Sequence, residues 1–120
     1  TRVSENLDLC LIHTRMKFRN SSKITRRTLK AGEPIVSFGY SKTHPTYVEG
    51  SFTKRELVNV VILDRTSLII HGGHSGSAVL DRRGNIVGVI NSNRTDLTTG
   101  KVVCSWMVPA QHLLEFLGEK

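Results

Sequence analysis

The residues best suited to chemistry form a glycine-rich run around one serine, Gly72-Gly73-His74-Ser75-Gly76. Gly73 and Gly76 let the backbone bend sharply at little steric cost. Such a bend can aim the backbone N–H groups of Gly73 and Ser75 at one point, where an oxyanion would form during acyl transfer. The run predicts a serine nucleophile with an oxyanion hole. Alone, it is also compatible with an ordinary glycine-rich hairpin loop, because short motifs match by chance.

The residues after Ser75 narrow the choice of fold. Residues 78–80 and 86–91 are mostly apolar, and the polar residues 81–85 with Gly84 separate them. That order predicts strand–turn–strand, whereas the nucleophile elbow of α/β-hydrolases requires strand–turn–helix. The sequence therefore disfavours the hydrolase elbow and favours a loop in a β-barrel.

The elements that would position this loop are short strands. We predict strands over residues 7–13, 34–39, 47–53, 56–63, 67–70, 77–80, 86–92 and 101–108. A helix follows Pro109, which suits a first helical turn, and three leucines at 113, 114 and 117 give it an apolar stripe. Strands at this spacing, separated by turn residues, indicate a barrel or a sandwich.

From Leu7 onward the chain resembles the trypsin/chymotrypsin-like serine proteases, and the HtrA-like members and RNA-virus serine proteases more than the digestive trypsins. The segments that carry the resemblance are residues 7–12 (LDLCLI), 31–40 (AGEPIVSFGY), 73–79 (GHSGSAV) and 105–109 (SWMVP). The resemblance implies an all-β fold: a six-stranded antiparallel trypsin-like β-barrel with a C-terminal helix, as part of a double-barrel protein.

The resemblance also implies roles for single residues. Ser75 would attack the peptide carbonyl, with the N–H groups of Gly73 and Ser75 as the oxyanion hole. Asp8 would orient a general-base histidine and stabilise its charged form. Residues 69–71 and 104–106 would wall the side-chain pocket. The candidate substrate contacts are His71, Asn91, Ser92 and Asn93.

The general base itself is not evident. In this family it precedes the aspartate by tens of residues, whereas only residues 1–7 precede Asp8 here. His13 is an odd number of residues from Asp8, which places the two side chains on opposite faces of a strand. His74 replaces the acidic residue of trypsins and should point away from Ser75. We therefore expect the base histidine on an N-terminal barrel outside this chain, and the isolated chain to be inactive.

Positive charge is concentrated ahead of the predicted barrel. The chain carries a net charge of +7. No acidic residue lies between Asp8 and Glu33, and seven basic residues do: Arg15, Lys17, Arg19, Lys23, Arg26, Arg27 and Lys30. We interpret residues 1–14 as the end of an N-terminal barrel, 15–30 as a basic inter-barrel linker, and 31–120 as the C-terminal barrel and helix. The stretch from Arg15 to Lys30 is compatible with a solvated loop or with a patch for an acidic partner or nucleic acid.

Composition excludes several classes of protein. No stretch approaches the ~20 apolar residues of a membrane span. Cys10 and Cys104 are too few for a disulfide framework and lie in predicted strands, where a free buried cysteine is typical. We therefore expect an intracellular, reducing compartment, and we expect neither a cofactor nor a metal.

Together these patterns predict a trypsin-like serine endopeptidase that cuts polypeptide substrates through an acyl-enzyme on Ser75. Two alternatives stay open. The chain could be a protease-like peptide-binding module without catalysis, or a basic domain that docks on RNA or DNA.

Overall fold

The computed structural model describes residues 2–41 and 43–118. Its elements are β1 (Arg2–Ser4), β2 (Leu9–Leu11), β3 (Pro34–Ser41), β4 (His44–Val58), β5 (Val61–Thr66), β6 (Ala78–Leu80), β7 (Ile86–Thr95), β8 (Val102–Pro109) and α1 (Ala110–Leu117). Among the described residues, no helix is long and apolar enough to cross a membrane.

Strands β3 to β8 form a closed barrel in the order β3-β4-β5-β8-β7-β6, and each pair is antiparallel. Pairing of Val36 with Leu80 and of Ser37 with Val79 closes the barrel between β3 and β6. Closure gives the edges of these strands hydrogen-bond partners that they would otherwise seek on another chain. The predicted six-stranded antiparallel barrel with a C-terminal helix is confirmed.

The barrel is filled by side chains that alternate inward along the strands. The buried core consists of Ile35, Phe52, Leu68, Ile70, Val79, Val87, Ile90 and Met107. Helix α1 closes one side, where the buried Leu113 packs with Leu63 and Val108 in a second cluster. Gly118 ends the helix at φ 79°, and its N–H bonds the Glu115 carbonyl.

Strand β4 is longer than the sequence predicts. We expected strands over 47–53 and 56–63 with a turn between them, but β4 runs on to Val58 and the chain turns at Asn59 and Val60. The polar residues 53–55 lie exposed on the strand, beside a bulge between Phe52 and Lys54. Asn59 adopts φ 57°, a left-handed conformation that asparagine tolerates and that makes the tight turn.

The predictions for the beginning of the chain are partly wrong. The expected strand over 7–13 is only the three residues of β2, which pairs with β1 as a separate two-stranded sheet. Asp8 lies in the turn before β2, at φ 56°, and its N–H bonds the Glu5 carbonyl. Cys104 is buried as expected, but Cys10 is exposed, because β2 is not covered on that face by the described residues. Residues 67–70, predicted as a strand, have no regular secondary structure.

The segment before the barrel is irregular, but it is fastened at one place. Ile24 pairs with Ile86 at the start of β7, through bonds from Thr25 N to Ile86 O (2.9 Å) and from Ile86 N to Lys23 O (2.7 Å). The division of the chain at 14 and 30 stays a prediction.

Candidate active site

The glycine-rich run forms the loop between β5 and β6, and consists of two consecutive turns. His74 N–H bonds the His71 carbonyl at 3.2 Å, and Ser77 N–H bonds the His74 carbonyl at 3.1 Å. Gly73 and Gly76 adopt φ values of 96° and 88°, which L side chains rarely adopt. Glycine at these two positions therefore permits the loop to present Ser75, which is exposed.

Strand β7 holds this loop (residues 72–77) in place; it is called the nucleophile loop after the role predicted for Ser75. Gly76 N–H donates to the Ile90 carbonyl, and Ile90 N–H donates to the Ser77 carbonyl, both at 2.9 Å. Immediately afterwards the register of β7 against β8 shifts between Ile90 and Ser92, which is a β-bulge. The Asn91 carbonyl, inside the bulge, accepts the Ser75 hydroxyl at 3.1 Å. Bulges of this kind commonly re-aim the chain next to functional sites.

Two backbone donors flank His74. Within the described residues, no acceptor bonds the N–H of Gly73 or that of Ser75. Both amides belong to the loop whose tip carries the Ser75 hydroxyl. Backbone N–H groups without acceptors near a reactive hydroxyl are the kind of donors that can stabilise an oxyanion during acyl transfer.

His74 lies beneath the loop, and its side chain is fully buried. Its Nε2 is 2.9 Å from Ser37 Oγ, and the Ser37 hydroxyl also bonds the Ala78 carbonyl at 2.9 Å. The pKa of the imidazole is lowered because burial disfavours its charged form. As the sequence indicates, this histidine faces away from Ser75 and is in no position to take its proton.

Asp8 and the nucleophile loop line the same groove, of about 360 Å³. Its lining includes Asp8, Gly76, which is the neighbour of Ser75, and the apolar residues Leu9, Val89 and Leu113. The Asp8 carboxylate is exposed. In the part of the chain that the structure describes, no hydrogen bond or ion pair joins it to a histidine.

The predicted substrate residues lie along β7 and the loop before Ser75. Asn91 and Ser92 are half-buried, whereas Asn93 and His71 are exposed. The Asn93 amide donates to the Ile70 carbonyl at 2.9 Å and so ties β7 to the segment that leads into the loop. The bond from Asn93 to Ile70 therefore joins the strand that carries Asn91, Ser92 and Asn93 to the segment next to His71.

The predicted pocket walls are mixed in character. Ile69 is 43% exposed, but Ile70 and Ser105 are buried, and the Ser105 hydroxyl bonds that of Thr66 at 2.6 Å. Trp106 is half-buried, and its indole N–H bonds the Glu56 carboxylate at 2.5 Å. Ile70 thus serves the barrel core as well as the segment that leads into the loop.

Sequence analysis missed the residues of β3 that support the loop. A Cβ built on Gly39 would lie 2.2 Å from Ser77 Oγ and 3.2 Å from His74 Cε1. The strand backbone therefore packs directly against the loop. An isolated glycine within a strand pattern is the signal that indicates such a close approach, whereas nothing in the sequence near Ser37 marks its bond to His74.

Comparison with known proteins gives one family. Residues 1–89 match the family model described as the trypsin-like peptidase domain. None of the curated proteins matches this chain.

Several solved structures share its fold. The protease Rv3671c from M. tuberculosis is 13% identical, with a TM-score of 0.66 over 81% of this chain and 51% of its own. The MamO protease domain from Magnetospirillum magneticum is 23% identical, with a TM-score of 0.59 over 74% and 49%. The HtrA-type protease AlgW with a tripeptide is 18% identical, with a TM-score of 0.72 over 86% and 37%. At these identities the likeness shows the fold, and this chain spans about half of those chains or less.

Proposed function

The chain belongs to the trypsin-like peptidase family, and on that premise we propose that it is the C-terminal barrel of a serine endopeptidase. The reaction would be hydrolysis of peptide bonds through an acyl-enzyme on Ser75. The observation that carries this proposal is the loop geometry: an exposed Ser75 hydroxyl at a tip shaped by Gly73 and Gly76, beside two N–H groups without acceptors.

The chemistry follows from these groups. Ser75 Oγ forms a bond to the substrate carbonyl carbon while its proton passes to a general base. The carbonyl oxygen becomes an oxyanion, which the N–H groups of Gly73 and Ser75 stabilise. Collapse of this intermediate breaks the C–N bond, and the base returns the proton to the leaving amine. Water then hydrolyses the acyl-enzyme through the same steps and regenerates the serine.

The base would be a histidine from an N-terminal barrel outside this chain. One groove supports this part of the proposal, because both Asp8 and Gly76, the neighbour of Ser75, line it. A histidine that entered there could accept the Ser75 proton on one ring nitrogen while Asp8 held the other. The Ser75 hydroxyl would then exchange its bond with the Asn91 carbonyl for one with that histidine.

The substrate would be an extended polypeptide. Asn91 lies in the bulge of β7, where its carbonyl bonds the Ser75 hydroxyl, and Ser92 and Asn93 follow it. An extended peptide can pair with such a strand through main-chain hydrogen bonds, a common mode of peptide recognition. His71 would contact the substrate from the loop that approaches the site.

We also propose that the protein works in a reducing compartment. The free thiols of Cys10 and Cys104 support this proposal.

Labelling with a fluorophosphonate probe tests the nucleophile. The full-length protein should react, Ser75→Ala should abolish the reaction, and Ser22→Ala, which removes an exposed hydroxyl elsewhere, should leave it unchanged. If the folded full-length protein is not labelled, it is no serine peptidase, and the peptide-binding module becomes the better account.

A second substitution tests the role of Asp8. Asp8→Asn should lower kcat by about four orders of magnitude, the effect that loss of the orienting carboxylate has in serine-protease triads. Glu5→Gln, in the same turn, is the matched control and should keep the wild-type rate. Equal rates for both variants would exclude Asp8 from the mechanism.

A further inference from the structure

A buried polar pair lies directly beneath the proposed oxyanion hole. His74 and Ser37 are both fully buried, and their side chains meet at 2.9 Å. The Ser37 hydroxyl is also 2.9 Å from the Ala78 carbonyl. The mechanism proposed above uses neither side chain, and a buried polar group costs free energy unless it is hydrogen-bonded.

The available protons fix the state of this pair. The Ala78 carbonyl can only accept, so the single hydroxyl hydrogen of Ser37 is donated there. Ser37 Oγ then accepts its second bond from His74, which places the imidazole proton on Nε2. His74 Nδ1 has no partner among the described residues. A second proton on Nδ1 would be a buried donor without an acceptor, so the neutral Nε2–H form is favoured.

Among the residues that the structure describes, no charged group near His74 offsets this cost. Ser37 and Gly39 face it from β3, and Ser77 lies beside it in the loop. Burial alone lowers the pKa of the imidazole, and no charged side chain contributes. The neutral imidazole ring therefore fills the space between β3 and the loop.

The backbone of His74 connects this buried ring to the proposed oxyanion donors. The Ser75 N–H belongs to the same peptide plane as the His74 carbonyl, which accepts from Ser77 N–H at 3.1 Å. The peptide plane on the other side contains the His74 N–H, which bonds the His71 carbonyl at 3.2 Å. Fixing the His74 side chain therefore fixes the direction in which the Ser75 amide points.

We infer that His74 is a positioning residue, which through its bond to Ser37 fastens the nucleophile loop to strand β3 and keeps the oxyanion donors aimed. The inference rests on the proposed function, because it assigns the pair to that site. It differs from a purely structural role in one respect: loss of the bond should impair the transition state and leave substrate binding unchanged.

Steady-state kinetics of the full-length protein on a peptide substrate separate these roles. Ser37→Ala and His74→Leu should each lower kcat by about tenfold with KM within about twofold of wild type. His74→Gln, whose amide nitrogen reaches the place of Nε2, should retain most of kcat. His44→Gln, an exposed histidine in the β3–β4 hairpin, is the matched control. Unchanged kcat in Ser37→Ala, or equal loss in both His74 variants, would overturn the inference.

A second measurement does not depend on turnover. Nitrogen-15 NMR of the histidine rings should show His74 as the neutral Nε2–H form, still unprotonated below about pH 6.5, the ordinary value for a histidine. An Nδ1–H form, or protonation of His74 at that ordinary value, would overturn the inference even in an active enzyme. A wild type that cuts no peptide and binds no fluorophosphonate would instead overturn the proposed function and the positioning role with it. The ring spectrum would then show separately whether the His74–Ser37 bond exists.

Discussion

Replacing Gly39 with alanine would place a methyl group between β3 and the nucleophile loop. Its carbon would lie 2.2 Å from Ser77 Oγ, 3.1 Å from Ser77 Cβ and 3.2 Å from His74 Cε1. The Ser77 hydroxyl can rotate away, but the other two atoms must move by a few tenths of an ångström. Overpacking in a tight core costs about 1–3 kcal/mol, and alanine offsets about 0.5–1 kcal/mol of this through the lower entropy of its unfolded chain. We expect a net loss of about 1–2 kcal/mol.

Urea unfolding, followed through the fluorescence of Trp106, measures this loss. With a slope of about 1–3 kcal/mol per molar urea for a small domain, the midpoint should fall by roughly 0.3–2 M, while the slope stays constant. Gly72→Ala is the matched control, because a Cβ there would meet nothing within 4 Å. Ser77→Ala should recover part of the loss when combined with Gly39→Ala, since it removes the nearest atom.

Unfolding of Gly39→Ala at the same urea concentration as Gly72→Ala and wild type would show that β3 does not pack tightly against the loop. Independent effects of Ser77→Ala and Gly39→Ala would show that the two side chains do not share one contact. If the full-length protein has the proposed activity, Gly39→Ala should also reduce kcat, since the methyl group presses on the loop that carries Ser75.

Three further predictions concern stability. The pKa of His74 is lowered in the folded state, so below about pH 6.5 the unfolded state binds a proton that the folded state excludes. As the pH is lowered below about 6.5, the free energy of unfolding should therefore decrease by up to about 1.4 kcal/mol per pH unit. Arg27→Ala removes the guanidinium that is 2.9 Å from the buried Asp81 carboxylate, and should cost about 1–2 kcal/mol at pH 7, discounted because Arg27 is 44% exposed. Arg27 also pairs with Glu33 and holds the pKa values of both Glu33 and Asp81 below their usual values, so this difference should vanish as the pH falls through those two pKa values. Gly88→Ala would place a carbon 2.5 Å from Met107 Sδ and 2.9 Å from a backbone carbonyl, and should cost more than Gly39→Ala in the same urea assay.

Each of these three stability predictions has a control variant or a result that would contradict it. His74→Gln should flatten the pH dependence, and a slope that persists in this variant would assign it to another group. Arg83→Ala keeps the backbone N–H that bonds Asp81 and should leave stability unchanged. An Arg27→Ala loss that is equal at pH 3 and pH 7 would exclude the ion pair as its cause. Gly88→Ala as stable as Gly72→Ala would show that β7 and β8 can separate at little cost.

Much of the barrel could be predicted because its signals are local. Alternation of apolar residues, glycine-bearing turns and the proline ahead of α1 each act within a few residues. The errors arose where local polarity misleads. Residues 53–55 look like a turn but lie on the exposed face of β4, while Asn59, which makes the actual turn, carries no neighbouring glycine.

In the candidate site, too, the local bends could be predicted from the sequence and the long-range contacts could not. The bends at Gly73 and Gly76 follow from residue type, so the shape of the nucleophile loop could be predicted. The contacts beneath it could not, because Ser37 and His74 are 37 residues apart and meet only when β3 and β6 close the barrel. The exposed turn around Asp8 also depends on β1, a strand of three residues that is too short to show alternating polarity.

The pairing of Ile24 with Ile86 has a consequence for how this barrel behaves as an independent unit. Strand β8 does not extend as far as Ile86: its last residue, Pro109, pairs with Gly88 of β7, and helix α1 follows. The bonds to Lys23 and Thr25 therefore occupy an N–H and a carbonyl that would otherwise form an open edge. A fragment trimmed to begin at residue 31 would uncover this edge and become prone to aggregation through strand pairing. A fragment that begins before Lys23 would keep the edge covered.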